Sequence, residues 1–340
     1  RQLSEAVFLI SRVDFPHKWE GLLPALVTSL RSGELQLIEG SLTTAHSILR
    51  HYRNVYKSES VLRELLYILP LLQEPLLLVF RHLLEQLPKA QGPVQRRVML
   101  AVQSAVEVFH DLSAVDLPEH FEDHLKEWME GFNFLFSFQT QSEHLLDDPS
   151  GAEEAPGALH CVQREVCEVY NLYCSRYEEE FKPYLGEVSQ KVWETLTRLP
   201  NEPKYDTLVS AAIVFLTSIS KGVDHQLFAS EATLKQVCES IVIPNLRFSD
   251  LDEENFEDNP IEYIRRDIEG SDGETRRRSA CELVKGLRKH FEQQVTQIFS
   301  AYVNRMLEEY RGNPKQNWRS KDVALFLVSA LTISRQTASH

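Results

Sequence analysis

The feature that most constrains this chain is a helical apolar stripe that keeps returning between breaks. Leu208, Ala211, Ala212, Phe215 and Ile219 fall on one face of a 3.6-residue helix. Ala280, Leu283, Val284, Leu287 and Phe291 repeat the spacing, as do Ala324, Leu327, Val328 and Leu331. Alternating segments bounded by turn residues, the mark of strands, are missing. The breaks fall where Gly, Pro, Asn and Asp cluster: near 14–16, 32–33, 91–93, 116–118, 147–157, 200–203, 248–273 and 312–314. Between them the pattern predicts helices joined two by two, as pairs over 16–53, 58–113, 118–178, 179–221, 227–291 and 292–335. The simplest pairs are about 40 residues long, the period of HEAT and armadillo units. One pair alone buries only one side, so neighbours must stack. The expected fold class is therefore all-α, an α-α superhelix running as one continuous array over 1–340. The alternative is an irregular all-helical domain.

Composition sharpens this reading. With 340 residues, 43% of them hydrophobic, the chain can bury a large core. Its net charge of −14 disfavours nucleic acid, whose binders present basic faces, and suits a basic protein partner. Five scattered cysteines without a CxxC pair, and no N-x-[ST] sequon, fit a reducing compartment. No apolar run has the length of a membrane span, so no membrane insertion is expected. Arg1 to Ile10 already reads as a helix, which suggests an excised fragment.

Two loops interrupt the rhythm. Glu143 to Gly157 holds Asp147, Asp148, Glu153 and Glu154 and no Lys or Arg, and reads as a disordered, solvated insert. The segment Phe248–Asp272 holds ten acids and only Arg265 and Arg266 as bases, and Arg276, Arg277 and Arg278 follow. It also carries Phe256, Ile261, Tyr263, Ile264 and Ile268. Three of these, Ile261, Ile264 and Ile268, share a helical face, so a short helix is expected to dock through them. A loop this long inside a compact array is functional or disordered, and the apolar residues favour function.

No chemistry of an enzyme is written here. The chain lacks GxxxxGK[ST], GxGxxG and GxSxG. The acidic run from Asp250 imitates the start of a calcium loop, but Asn255 replaces the required glycine and Ile261 the bidentate Glu. His120 and His124 are four apart without the Glu of HExxH, and read as exposed helix histidines. Cys167 and Cys174, seven apart, read as buried small hydrophobes. No catalytic, metal or cofactor site is expected.

Several motifs go further than pattern. Asp14-Phe15-Pro16-His17-Lys18-Trp19, followed by Leu22-Leu23-Pro24, resembles the DFPxxWxxLLP signature of importin-β-type transport receptors. Glu257 to Asp272, with Thr275-Arg276-Arg277-Arg278, closely resembles the central insertion of the importin-α export receptors in that superfamily. Leu117-Pro118-Glu119, Tyr177 to Phe181, Lys204-Tyr205-Asp206, Val242 to Asn245 and Asn313 to Trp318 with Lys321-Asp322 extend the resemblance nearly end to end; Glu143–Gly157 departs most. The resemblance implies a karyopherin of many HEAT repeats, of which this chain is an amino-proximal middle part. It implies binding of importin-α together with RanGTP in the nucleus, passage along nuclear pore proteins, and release in the cytoplasm when Ran hydrolyses GTP. The chain itself holds no cofactor. By charge, Glu257, Asp258, Asp267, Glu269 and Asp272 are expected to face basic patches on Ran. Tyr263, Ile264, Arg265, Arg266, Ile268 and Arg276 to Arg278 belong to the same contact or hinge. The competing class is a passive HEAT scaffold.

Overall fold

The computed structural model describes residues 2–16, 18–152, 154–265 and 275–332. Among them there is no strand, only one bridge between Asp147 and Pro156. The all-α, HEAT-like fold is as expected. Two compact units, Arg1–Leu172 and Tyr173–His340, divide the chain.

In the first unit, α1 (Gln2–Asp14) leads through the Asp14–Pro24 signature into the pair α2 (Leu22–Leu30) and α3 (Leu35–Leu49). The second pair is α4 (Glu59–Gln86) and α5 (Gly92–Ser113). Here α2 packs on α4 and α3 on α5, so pairs stack like on like. The third pair combines α6 (Glu119–Asp123) and α7 (Leu125–Ser137) with α9 (Ala158–Arg176). Stripe residues of α4, α5 and α7 meet in a ring cluster: Phe80 and Phe109 lie 4.6 and 4.3 Å from the fully buried Trp128. Gly131 allows the close approach of α7, because a Cβ there would sit 2.5 Å from the Phe80 ring.

The acidic loop 143–157 corrects an expectation. It is not a free, solvated insert. α8 (Glu143–Leu146) buries Leu145 completely, and the Asp147–Pro156 bridge closes the loop behind it. Asp148 reaches Arg96 at 3.5 Å, a cation supplied by α5 rather than by the loop itself. Gly157 lies so close to the Leu146 carbonyl that any Cβ would collide. The sequence reading failed because it counted charge inside the loop and could not see Arg96. Glu153 lies outside the described residues.

In the second unit, α10 (Glu178–Arg198) pairs with α11 (Asp206–Lys221). α12 (Glu231–Val237) continues through a widened π turn at Cys238–Val242 into α13 (Ile243–Leu246). Pro244 has no N–H to give the preceding turn, and the neighbouring Asn245 Nδ2 donates to the Ile241 carbonyl at 2.8 Å. Then come α14 (Asp250–Asp258), α15 (Pro260–Ile264), α16 (Arg276–Gly312) and α17 (Trp318–Thr332). The boundary expected at 291/292 is a kink rather than a gap: Phe291 leaves helical geometry at φ −127°, ψ 37°, and one bent helix serves two pairs. α16 buries one stripe against α11 and another against α17.

Candidate interaction surface

The insertion between α13 and α16 is held by short-range caps at its ends and by one aromatic anchor. Ser249 opens α14 with a capping box: its Oγ accepts from the Asp252 N–H at 3.0 Å, and the Asp252 carboxylate accepts from the Ser249 N–H at 2.9 Å. Asn259 caps α15 by accepting from the Glu262 N–H at 3.2 Å. α14 buries no side chain. From α15 only Tyr263 is buried, edge-on to Phe248 (5.6 Å) and Phe256 (5.8 Å).

Arg277 ties this anchor to the helices beneath. It is 4% exposed, and one guanidinium nitrogen donates to the Tyr263 hydroxyl at 3.3 Å while the other donates to Asp322 at 2.6 Å. The guanidinium plane stacks on Phe326 at 3.9 Å and faces Phe248 at 5.2 Å. Arg276 turns the other way, to Asp206, the Asn201 side chain and the Glu202 carbonyl. Arg278 is the residue whose N–H the Thr275 hydroxyl caps. The acids that accept Arg276 and Arg277 therefore come from the neighbouring helices α11 and α17. The insertion contributes its own acids elsewhere: Arg319 of α17 donates to Asp250 and Glu253, each at 2.7 Å, and pins the start of α14.

The expected isoleucine anchor is corrected. Ile261 is 66% and Ile264 40% exposed, so two of the three expected anchors face solvent, and Ile268 lies outside the described residues. The buried side chain is Tyr263, which satisfies its hydroxyl on Arg277 as well as burying its ring. Glu254, Glu257, Asp258, Glu262, Phe256, Ile261, Ile264 and Arg265 are left facing out. The result is an acidic surface dotted with exposed apolar side chains, set on a fixed base. Arg266, Asp267, Ile268, Glu269 and Asp272 lie outside the described residues.

A second charged cluster, which sequence reasoning missed, lies inside the first unit. Asp111 of α5 is fully buried; it accepts from Arg53 Nε at 2.5 Å and holds His46 of α3 at 2.8 Å. Glu165 of α9, 1% exposed, pairs with the same Arg53 at 2.8 Å and with His110 at 2.9 Å. Burial opposes the charge on Glu165, but the His110 hydrogen bond and the Arg53 charge overcome it and hold the carboxyl down to about 2. Burial likewise opposes protonation of His46, and Asp111, with Glu107 behind it, still raises its pKa above the usual imidazole value. Burial pushes Glu107 and Glu168 upward. Although His110, Glu165 and Glu168 bring donor atoms within 4.8 Å of one another, Arg53 and Arg164 already bring positive charge to the two carboxylates. That disfavours a metal ion and reads as a structural ladder across three successive pairs.

The remaining candidates resolve plainly. His120 and His124 are half-buried rather than exposed, stacked at 4.3 Å, with His120 Nε2 at 2.8 Å from Glu74. Facing rings of this kind do not converge on an ion. Cys167 is fully buried as expected and its thiol is pushed well above the usual range; Cys174 is only half-buried, yet that burial still pushes its thiol up to about 12. No described helix is long and apolar enough to cross a membrane.

Stacked helix pairs with a charged insertion place the chain among HEAT-like helical repeat proteins. The sequence model of the Cse1 family matches residues 48–340. Curated relatives named exportin-2 are 41% identical in Oreochromis niloticus and in Homo sapiens and 40% in Danio rerio. Each alignment covers 100% of this chain and 35% of the relative, so the chain spans about a third of their length. A solved structure, "The exportin Cse1 in its cargo-free, cytoplasmic state", superposes with a TM-score of 0.91 at 34% identity, over 97% of this chain and 36% of that one. The chain belongs to the Cse1 (exportin-2) family.

Proposed function

We propose that the protein to which this chain belongs is a nuclear export receptor that binds importin-α cooperatively with RanGTP in the nucleus. It shuttles through the pore along nuclear pore proteins and releases importin-α in the cytoplasm when Ran hydrolyses its GTP. The chain carries part of the binding surface and no cofactor. The observation that carries the reading beyond family membership is the insertion: Tyr263 and Arg277 fix its base while Glu254, Glu257, Asp258 and Glu262 face outward. Glu257 and Asp258 have no ion-pair partner among the described residues, so their charge is available to a basic surface. Asp267, Glu269 and Asp272 add acids to the same stretch of sequence, with Arg265, Arg266 and Arg278 beside them.

Arg277 joins the insertion to α17 through Asp322, so a force on the insertion reaches the following pair. This supports a hinge role alongside contact. Coupling of this kind is reciprocal: RanGTP raises importin-α affinity by the factor by which importin-α raises that of RanGTP. The test is the affinity of the full-length protein for importin-α, measured alone, with Ran-GTP and with Ran-GDP. Affinity that rises only with Ran-GTP is expected; equal affinity in all three would leave a passive scaffold.

A further inference from the structure

Ser249 stands at the head of α14 in the sequence Ser249-Asp250-Leu251-Asp252-Glu253-Glu254, with acids one, three, four and five residues downstream. Kinases select substrates by charge pattern, and a basic substrate groove favours acids in these positions. The other serines followed by an acid at the third position, Ser11, Ser104, Ser113, Ser150, Ser175, Ser271 and Ser279, lack this density: of these only Ser271 has an acid next to it, and Ser271 has none at the fourth or fifth position.

The surroundings of Ser249 add a second, independent argument. Ser249 lines an open groove of about 600 Å³ together with Arg247, Arg305 and Arg319. Arg247 is exposed and has no hydrogen-bond or ion-pair partner among the described residues. Arg305 is largely exposed and holds only Glu309, at 3.3 Å. Arg319 divides itself between Asp250 and Glu253. Three guanidinium groups thus line the groove that a group on the Ser249 hydroxyl would enter, beside the acids Glu239, Asp250 and Glu309. Glu309 already holds Arg305 and Asp250 holds Arg319, so Arg247 is the cation uncommitted among the described residues. Guanidinium groups are what a phosphoserine needs to be retained. Access is cheap as well. The backbone is already extended at Arg247 and Ser249, and α14, with no buried side chain, can open its first turn without exposing core.

We propose that Ser249 is a phosphorylation site for an acid-directed Ser/Thr kinase, and that the phosphate is held by the arginines of this groove. The kinase transfers the γ-phosphoryl group of ATP: the bond from γ-phosphorus to the bridging oxygen breaks, the Ser249 Oγ–P bond forms, the hydroxyl proton passes to the kinase base, and ADP leaves. The product cannot keep the present capping box. Ser249 Oγ now donates to the Asp252 carboxylate at 2.7 Å, and a phosphate has no such hydrogen to give. The new dianion draws Arg319 away from Asp250 and Glu253 and releases two acids of the insertion. The assignment stands whether or not the transport reading holds.

The test treats the full-length protein with casein kinase II and ATP, maps the modified residue by mass spectrometry, and titrates the phosphoserine by phosphorus NMR. Expected are phosphate on Ser249, its loss from that position in Ser249→Ala, and a second phosphate pKa below the ordinary value of about 6. In an Arg247→Ala, Arg305→Ala double variant the pKa returns toward that value. Modification confined to other serines overturns the site. A phosphoserine pKa at or above the ordinary value, unmoved by the arginine substitutions, overturns the retention by the groove.

Discussion

In the first unit the buried charges are carboxylates, Asp111 and Glu165, and cations from the turn after α3 and from neighbouring helices converge on them. In the second unit the buried charge is a guanidinium, Arg277, and it is met by aromatic faces, a tyrosine hydroxyl and one acid. The first cluster is closed: each of its two buried carboxylates is spent on cations of the same unit. The second holds up an insertion whose outer acids remain unspent. Charge thus serves architecture in one unit and, on our reading, recognition in the other.

The largest effect should come from opening the closed cluster. Arg53→Ala strands Asp111 and Glu165 without their shared guanidinium, and breaking a buried pair in this way costs about 3–5 kcal/mol. Chemical denaturation of the variant measures it. Arg277→Lys should cost less, about 2 kcal/mol, because the ammonium keeps the charge but cannot reach Tyr263 and Asp322 while stacking on Phe326. Faster hydrogen exchange over 260–264 would show that the loss lies at the insertion's base.

Changes of pH act on the first unit in two opposite directions. The folded pKa of His46 is raised, so its contribution is complete below the ordinary imidazole value of about 6.5 and is lost as pH rises through the folded value. Glu165 acts in the opposite direction: its pKa is depressed, so its contribution is present above the unfolded value of 4.5 and lost as pH falls toward about 2. The first unit should therefore lose stability as pH rises above about 6.5 through the raised folded value of His46, and His46→Gln should remove that slope. Denaturation midpoints across pH check both. The smallest effect belongs to the outward acids. Glu257→Gln with Asp258→Asn should change folding stability by less than about 0.5 kcal/mol, since neither has a partner to lose.

The helix pairs were legible in the sequence because each buries one stripe, and burial writes itself at 3.6-residue spacing. Even the bend at Phe291, where no Gly or Pro gives warning, was visible as the end of one stripe. The charged clusters were not legible. His46, Arg53, Asp111 and Glu165 belong to different pairs, and only stacking brings them together. The insertion was legible as a charged segment with apolar residues, but its anchor was misread. Three isoleucines at helical spacing suggested a docked face, yet Ile261 and Ile264 face solvent and the buried ring is Tyr263, chosen by a hydrogen bond to an arginine 14 residues on. The loop 143–157 failed for the same reason, since Arg96 lies on another helix.

The central claim is that the acids of the insertion serve recognition rather than folding. Its most direct test is the rate at which Ran-GTP associates with the full-length protein across a salt series, for the natural sequence and for a variant with Glu257, Asp258, Asp267 and Glu269 neutralised together. Exposed charges are screened over about 8 Å at 0.15 M salt, so a true contact weakens as salt rises. The account predicts slower association of the variant at low salt and a flatter dependence on salt. Equal rates at every salt concentration would contradict it.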